Sequence, residues 1–539
     1  MNCFKKHFMV NFARYDQQTK DAPSMDTTFK LDNLTGKQVF LLLEIRGGNP
    51  TKQCFISVTL NDYVLLEGQD KFSDIGWQCC SIPIPTGVLK TGDNRLAICN
   101  RELQGDLGRC TVARVVIVGE EFHKLEIAST EEMLVDIPKG IRPLPEPLPS
   151  GTLAPGFKFR GIKGYNWSVE QYMEEIPVLA KYKMNFLMNC YLSLFDGGKN
   201  EWYKPMPDEK KRAYANLFRA CRNNDIIFCF SVHPQFKSAH PLDLTNAADI
   251  ERYYQHFHWA QEQGVRWFSI SLDDVSWGER GPIVSAHEHA NLVNMFLSRL
   301  RSKDPNTQMI FCPIPYHGDG ANGDCRVYLE TIANEMNQDV YVFWTGNKIV
   351  SHRITRKAAE NYKCIVKHRL FIWDNYPAND AHPTLHLGPV CGRDADLCDV
   401  ADGYISNPLC QQNQINRIPL LTCADYAYNP KGYDPERSIG QAILHLTDTD
   451  AQRLVLKELV EIYPGLLVWG GYIDSNPVRE QFRWLISLHE PTSCMEEYIK
   501  RIEGICLRLN REFPDSFTAT RNTVASDIAW LKETLDMQR

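Results

Sequence analysis

The chain reads as a multidomain protein: an N-terminal β-sandwich, a central (β/α)8 barrel of the TIM type, and an α-helical C-terminal segment. Three observations predict this. At 539 residues the chain is too long for one ordinary domain. Short strands punctuated by turn residues fill the region from about 25 to 125, the spacing of a sandwich. Beyond a proline-rich stretch, apolar strand-like runs alternate with helical patterns over about 280 residues, which points to a parallel α/β domain. The boundaries are 1–135 for the sandwich, 136–154 for the linker, 155–432 for the barrel and 433–539 for the helical segment.

In the first region Val39-Phe40-Leu41-Leu42-Leu43-Glu44-Ile45 is a core strand, and the alternating run 55–60 ends in the turn pair Asn61-Asp62. Strands follow at 77–84, 95–98 and 112–118, with a turn at Pro85-Thr86-Gly87. The stretch from Ser81 to Leu96, which ends Leu89-Lys90-Thr91-Gly92-Asp93-Asn94-Arg95-Leu96, resembles an edge of the galactose-binding-like jelly-roll modules found beside glycosidase domains. The linker carries Pro138, Pro143, Pro145, Pro147 and Pro149, which remove backbone donors and hold an extended chain. After it come strands at 157–162, 185–191, 226–232, 265–272, 309–312, 340–344 and 370–373. Between them Ser168 and Gln171 form a capping box that opens a helix running to Lys181, and further helices span 209–222, 249–263 and 286–302. Helices at 451–462 and 477–488 mark the C-terminal segment.

Composition narrows the function. The formal net charge is -7 with no basic stretch, which argues against nucleic acid and anionic membrane as partners. No apolar run of about 18 residues suggests a transmembrane helix. The apolar segment Phe8-Met9-Val10 is too short for a signal peptide, and the 18 cysteines are scattered without a CxxC pair, so a cytoplasmic location is expected. The 15 histidines include no HExxH, and His287-Glu288-His289 reads as a solvated helix face, so no metal is expected. Neither GxGxxG nor a P-loop occurs, and no cofactor is expected. A homodimer is compatible with the helical C-terminus.

Barrel enzymes collect their functional groups where strands finish. The run Val265-Arg266-Trp267-Phe268-Ser269-Ile270-Ser271-Leu272 closes on Asp273-Asp274. Adjacent carboxylates repel, so one tends to hold a proton near neutrality, as a general acid requires. A helix cap with a first-turn acid is the structural alternative. Other strand ends supply Asn189-Cys190-Tyr191, Ser231-Val232-His233, Pro315-Tyr316, Trp344-Thr345-Gly346, Trp373-Asp374-Asn375-Tyr376, Ser406-Asn407-Pro408 and Ala424-Asp425-Tyr426. Acids, amides and aromatics together suit a sugar, whose ring faces stack on Trp and Tyr while its hydroxyls need fixed donors and acceptors.

Ser271-Leu272-Asp273-Asp274-Val275, Phe311-Cys312-Pro313-Ile314-Pro315-Tyr316, Phe343-Trp344-Thr345-Gly346-Asn347-Lys348 and Trp373-Asp374-Asn375-Tyr376-Pro377-Ala378-Asn379-Asp380, in that order, resemble glycoside hydrolase family 84, the β-N-acetylglucosaminidases that include the O-GlcNAcases. The resemblance implies a β-N-acetylhexosaminidase acting on a carbohydrate or glycoconjugate by retaining, substrate-assisted hydrolysis, in which the sugar's own 2-acetamido oxygen forms an oxazoline. It implies that Asp273 orients the acetamido group and that Asp274 is the general acid/base. It further implies substrate contacts from Tyr316, Trp344, Trp373, Asn375, Asp380 and Asn407.

Two departures stand out. The family's first strand ends Glu-Gly-Phe-Tyr, whereas here Lys163-Gly164-Tyr165 replaces the acid with a lysine; Gly164 still suits a backbone that approaches the sugar closely. The family's second strand carries a lysine that reaches the sugar. Here the segment 188–196 has none, and Lys199 comes too late. These changes imply altered specificity. The rival readings are a catalytically weak or inactive carbohydrate-binding protein, and a retaining glycosidase of other specificity whose nucleophile is Asp374 or Asp425.

Overall fold

The computed structural model describes residues 5–12, 24–31, 39–47, 54–70, 78–100, 110–119, 135–195, 198–380, 384–410, 412–469, 476–487 and 492–539. They divide into two compact units, one drawn from 1–136, 454–514 and 521–539, the other from 137–453 and 515–520.

In the first unit the strands are β1 (Lys5–Phe12), β2 (Ser24–Leu31), β3 (Val39–Gly47), β4 (Cys54–Leu60), β5 (Tyr63–Asp70), β6 (Gln78–Ile84), β7 (Gly92–Asn100) and β8 (Cys110–Gly119). They form two antiparallel sheets, ordered β1-β8-β3-β6 and β2-β7-β4-β5. Alternate residues Leu41, Leu43 and Ile45 of β3 share one apolar core with Ile56, Val58 and Leu60 of β4 and with Leu96 and Ile98 of β7. This is the sandwich arrangement that period-2 patterning predicts. Asn61 and Asp62 take φ of 49° and 65°, as a two-residue hairpin between β4 and β5 requires.

The jelly-roll-like stretch is tied to itself. Buried Asn94 donates to the carbonyls of Lys90 (2.7 Å) and Gly92 (3.0 Å) and accepts from Lys90 N (2.9 Å) and Asn61 Nδ2 (2.7 Å). That asparagine closes the turn and sets the entry of β7.

The second unit is a closed parallel barrel of β9 (Phe159–Lys163), β10 (Phe186–Met188), β11 (Ile227–Val232), β12 (Trp267–Ser271), β13 (Gln308–Cys312), β14 (Tyr341–Trp344), β15 (Arg369–Pro377) and β16 (Ala401–Asn407), with β16 pairing back to β9. The connecting helices are α1 (Val169–Lys181), α2 (Asp208–Asn223), α3 (Ala247–Glu262), α4 (Gly281–Arg301), α5 (Gly323–Glu335), α6 (Arg356–Val366) and α7 (Asn413–Tyr428), followed by α8 (Pro435–His445). Aromatic side chains fill the lumen: Phe159 stacks on Phe371 at 5.7 Å and meets Trp267 edge-on at 4.7 Å. The capping box opens α1, with Ser168 Oγ accepting from Gln171 N and Gln171 Oε1 accepting from Ser168 N.

Three expectations change. Residues 424–426 are not a strand end. They lie in α7, and the barrel is already complete at β16. The run before Asp425 is apolar all round because α7 is buried on nearly every side, which periodicity alone does not separate from a strand. His289 is buried on α4, its Nδ1 2.7 Å from the Tyr328 hydroxyl, while His287 is exposed beside Glu335; only half of the His-Glu-His segment is a solvated face. The proline-rich segment is strapped to helices. Glu146 N donates to Asp425 Oδ1 (2.6 Å), Arg142 N to Gln441 Oε1 (2.8 Å), and Asn429 Nδ2 to the Pro147 carbonyl (3.0 Å).

The C-terminal helices are α9 (Asp450–Ile462), α10 (Leu466–Trp469), α11 (Pro477–Ser487), α12 (Thr492–Glu512) and α13 (Thr518–Gln538). Buried Asp527 of α13 accepts from Tyr463 Oη (2.7 Å), Asn476 Nδ2 (2.9 Å) and Arg479 Nε (2.8 Å), a carboxylate used for helix packing. No helix among the described residues is long and apolar enough to cross a membrane.

Candidate active site

The end of β12 presents the acidic pair. Leu272 N still donates to the Cys312 carbonyl (2.9 Å), after which the chain leaves the sheet and Asp274 takes φ of 57°. An Asp tolerates this left-handed conformation better than a bulky residue does. The turn gives the two carboxylates different surroundings: Asp273 is 6% exposed in the lumen, while Asp274 lies open at the rim.

Asp273 is held from two sides. Its Oδ2 accepts from Tyr191 Oη (3.1 Å), and its backbone carbonyl lies 2.9 Å from His233 Nε2. His233 Nδ1 already accepts from Gln235 N (3.1 Å) and Phe236 N (3.0 Å), so the ring proton sits on Nε2 and is donated to that carbonyl. Burial pushes the His233 imidazole below its ordinary range, with the Asp273 carboxylate opposing, so the neutral ring is favoured. Asp273 Oδ1 has no hydrogen-bond partner among the described residues, His233 Nε2 lying 3.7 Å from it. A buried carboxylate oxygen left unpaired is poised for a donor that arrives with a ligand.

Asp274 is met by Tyr316, whose hydroxyl donates to Oδ1 at 2.7 Å. Burial and then the neighbouring Asp274 charge push that phenol above its ordinary range, so it stays a donor.

On β15, alternation sorts three consecutive residues. Trp373 faces the lumen among the barrel's aromatic residues. Asp374 is locked by Arg393 (2.7 and 2.8 Å) and Tyr404 Oη (2.5 Å). Asn375 reaches the rim, where its Nδ2 donates to the Ile349 carbonyl (2.8 Å) and its Oδ1 accepts from Asn407 Nδ2 (3.0 Å). Asn407 Oδ1 in turn accepts from Tyr165 N (3.2 Å), so the ends of β9, β15 and β16 are joined by one amide chain. Asp380 is exposed and acts electrostatically on the half-buried Tyr165 hydroxyl, which burial already pushes up.

Two sequence candidates stand apart. Trp344 points away from the lumen: it stacks on Tyr362 of α6 at 5.5 Å and donates from Nε1 to the Gly318 carbonyl (2.9 Å). Tyr341 and Phe343 hold the inward positions of β14, so period 2 sends Trp344 outward. Gly164 is glycine for packing, since an added Cβ would lie 2.3 Å from the Trp167 ring. Its carbonyl accepts from the Tyr172 hydroxyl (2.8 Å).

Three residues without an assigned role lie beside the expected ones: Tyr191 and His233, named only as strand ends, contact Asp273, and Lys163, noted only as a departure, lies over Trp373. The end of the second strand is structural, because Asn189 exchanges hydrogen bonds with the backbone of Ser231 (2.8 and 2.9 Å), and Lys199 is exposed. Lys163, at the end of β9, is 1% exposed, and its Nζ lies 3.6 Å from the Trp373 ring centroid and 4.9 Å from that of Tyr191. Its parity with the inward Phe159 is the sequence signal that marks it as lumenal.

Comparisons with known proteins fit this geometry. Residues 160–461, more than half of the chain, match the model of a family described as beta-N-acetylglucosaminidase. Protein O-GlcNAcase of Mus musculus is 28% identical over 277 residues, covering 49% of this chain and 29% of that protein. Protein O-GlcNAcase of Rattus norvegicus is 27% identical over the same length and coverage. The chain thus spans less than a third of the length of the curated relatives it matches. Among solved structures, a mutant O-GlcNAc hydrolase of Thermobaculum terrenum superposes with a TM-score of 0.58 at 22% identity, covering 71% of this chain and 83% of that one. The structure titled CpGH84B gives 0.57 at 19%, covering 80% and 70%. Those two likenesses bear on the fold; the match over 160–461 bears on descent. By that match the chain belongs to the beta-N-acetylglucosaminidase family.

Proposed function

We propose that the barrel is a retaining glycoside hydrolase that removes terminal β-linked N-acetylhexosamine, of the N-acetylglucosamine type, from a glycoconjugate. One observation carries the reading: the two adjacent carboxylates are divided, Asp273 buried with a free Oδ1 and Asp274 open to solvent against Tyr316. Asp273 Oδ1 accepts the acetamido N–H and so increases electron density on the acetamido oxygen. That oxygen attacks C1, the C1–O bond to the aglycone breaks, and Asp274 delivers its proton to the departing oxygen. Asp274, now ionised, takes a proton from the water that reopens the oxazoline at C1. The two inversions give net retention. His233 and Tyr191 position Asp273, and the amide chain from Tyr165 through Asn407 to Asn375 supports the rim that meets the hydroxyls.

The rival nucleophiles are engaged elsewhere. Asp374 is consumed by Arg393 and Tyr404, and Asp425 lies on α7 accepting from Glu146 N. Purified protein is expected to cleave an aryl 2-acetamido-2-deoxy-β-glucoside, to be inhibited by a thiazoline that mimics the oxazoline, and to lose turnover on Asp274→Asn. Background release by both wild type and variant would instead mark a carbohydrate-binding protein. Cleavage without thiazoline inhibition would point to an enzymic nucleophile.

A further inference from the structure

Lys163 is the unusual group in the lumen. Its ammonium is buried at the end of β9, lies over the faces of Trp373 and Tyr191, and has no hydrogen-bond acceptor or ion-pair partner among the described residues. Ring faces offset part of the cost of burying a cation but accept none of its three N–H groups in an ordinary hydrogen bond. The charge is felt across the pocket. It acts on His233 and on Cys312, the same two groups that sense Asp273 and Asp274. Lys163 and Asp273 share Tyr191, which lies under the ammonium and donates to the carboxylate, yet the two charges do not pair with each other. One pocket therefore holds an ammonium without an acceptor among the described residues and a buried carboxylate oxygen, Asp273 Oδ1, without a donor among them. Such a pair is complementary to a ligand that offers an N–H and, next to it, an oxygen.

We propose that Lys163 is a substrate-binding residue whose absent acceptor is the oxygen at C3 of the bound sugar, adjacent to the acetamido group held by Asp273. This deepens the function proposed above and rests on it. Asp274 addresses C1 and Asp273 the substituent at C2, so the next acceptor around the ring, away from the leaving group, is the C3 hydroxyl. A cation delivered from the first strand thereby occupies a place that the second strand, with Asn189 turned to Ser231, leaves without charge.

The test compares wild type with Lys163→Met, which keeps the stem's length and apolar contact with Trp373. Hydrolysis of an aryl 2-acetamido-2-deoxy-β-glucoside and of its 3-deoxy analogue is measured, together with thiazoline affinity and the thermal midpoint. Loss of a charged hydrogen bond predicts a fall in kcat/KM of about 10- to 100-fold on the parent substrate, mostly as raised KM, with thiazoline affinity falling in step. The 3-deoxy substrate should suffer in wild type but lose little more on Lys163→Met, the non-additivity expected of partners in contact. The thermal midpoint should hold or rise, because an uncompensated buried charge is removed. Unchanged or improved kcat/KM, or equal penalties from the variant on both substrates, overturns the assignment. A lowered midpoint with thiazoline affinity intact also overturns it, as that marks a packing lysine. Failure of the underlying reading looks different, because wild type itself then neither hydrolyses the parent substrate nor binds the thiazoline.

Discussion

At the rim of β12 two carboxylates that adjoin in the chain do not share surroundings. Asp273 is buried and held through its backbone by His233, whereas Asp274 is exposed and touches Tyr316. Their amide variants should therefore fail differently. Asp274→Asn removes proton donation, and kcat/KM reports the step that expels the aglycone. Its effect on kcat/KM should therefore be small for a dinitrophenol leaving group and reach about 10²- to 10⁴-fold for a poor alkyl leaving group, while kcat falls for both because water activation is lost as well. Asp273→Asn removes the acceptor that activates the acetamido oxygen, so it should slow both substrates by a similar factor, about 10²- to 10³-fold. Identical leaving-group dependence in the two variants would remove the division of labour. The acidic pair was legible because it closes an unmistakable apolar run. Trp344 was misplaced because a motif names a strand end without stating which face each residue takes. Tyr191 and His233 were legible only as strand ends and Lys163 only as a departure, without roles, because what they touch lies on other strands and no local spacing reports a contact across a barrel.

Among the elements, β15 shows how a strand is made to present its site. Trp373 and Asn375 serve the lumen only while Asp374 between them is fixed on the opposite face by Arg393 and Tyr404. Both charges of that pair are 1% exposed. Arg393→Met should cost about 3–5 kcal/mol, since it leaves a buried carboxylate uncompensated. Urea unfolding should show it as a lowered midpoint at constant slope. A loss under about 1 kcal/mol would mean that Tyr404 and solvent suffice for Asp374. The capping box of α1 was readable because both partners lie within four consecutive residues. Helix α7 was only partly readable: its segment around Asp425 looked like a strand because a helix buried on nearly all sides has no polar stripe to betray its 3.6-residue period.

For the whole molecule, histidines held in or against the core, His352 among them half-buried, contribute to the response to acid. Burial pushes His289 down to about 3, and His352 and His386 down to about 4. In the unfolded chain such groups titrate near 6.5, so between that pH and their folded values the unfolded state binds more protons. Stability from these rings is present above about 6.5 and is lost progressively as pH falls toward 3 to 4. Thermal midpoints recorded from pH 7 to pH 4 should fall, and a flat profile would remove the argument. The alternation of strands and helices made the barrel legible from sequence, and paired turn residues did the same for the sandwich. The strap was not legible as a strap, because its partners Asp425, Asn429 and Gln441 lie some 280 to 300 positions away. That feature bears on where the catalytic body begins. Proline content invites a cut after residue 150, yet such a fragment would expose the three polar groups that the strap covers. A barrel fragment that keeps its strap starts no later than Ile137, with the prolines retained as part of its wall.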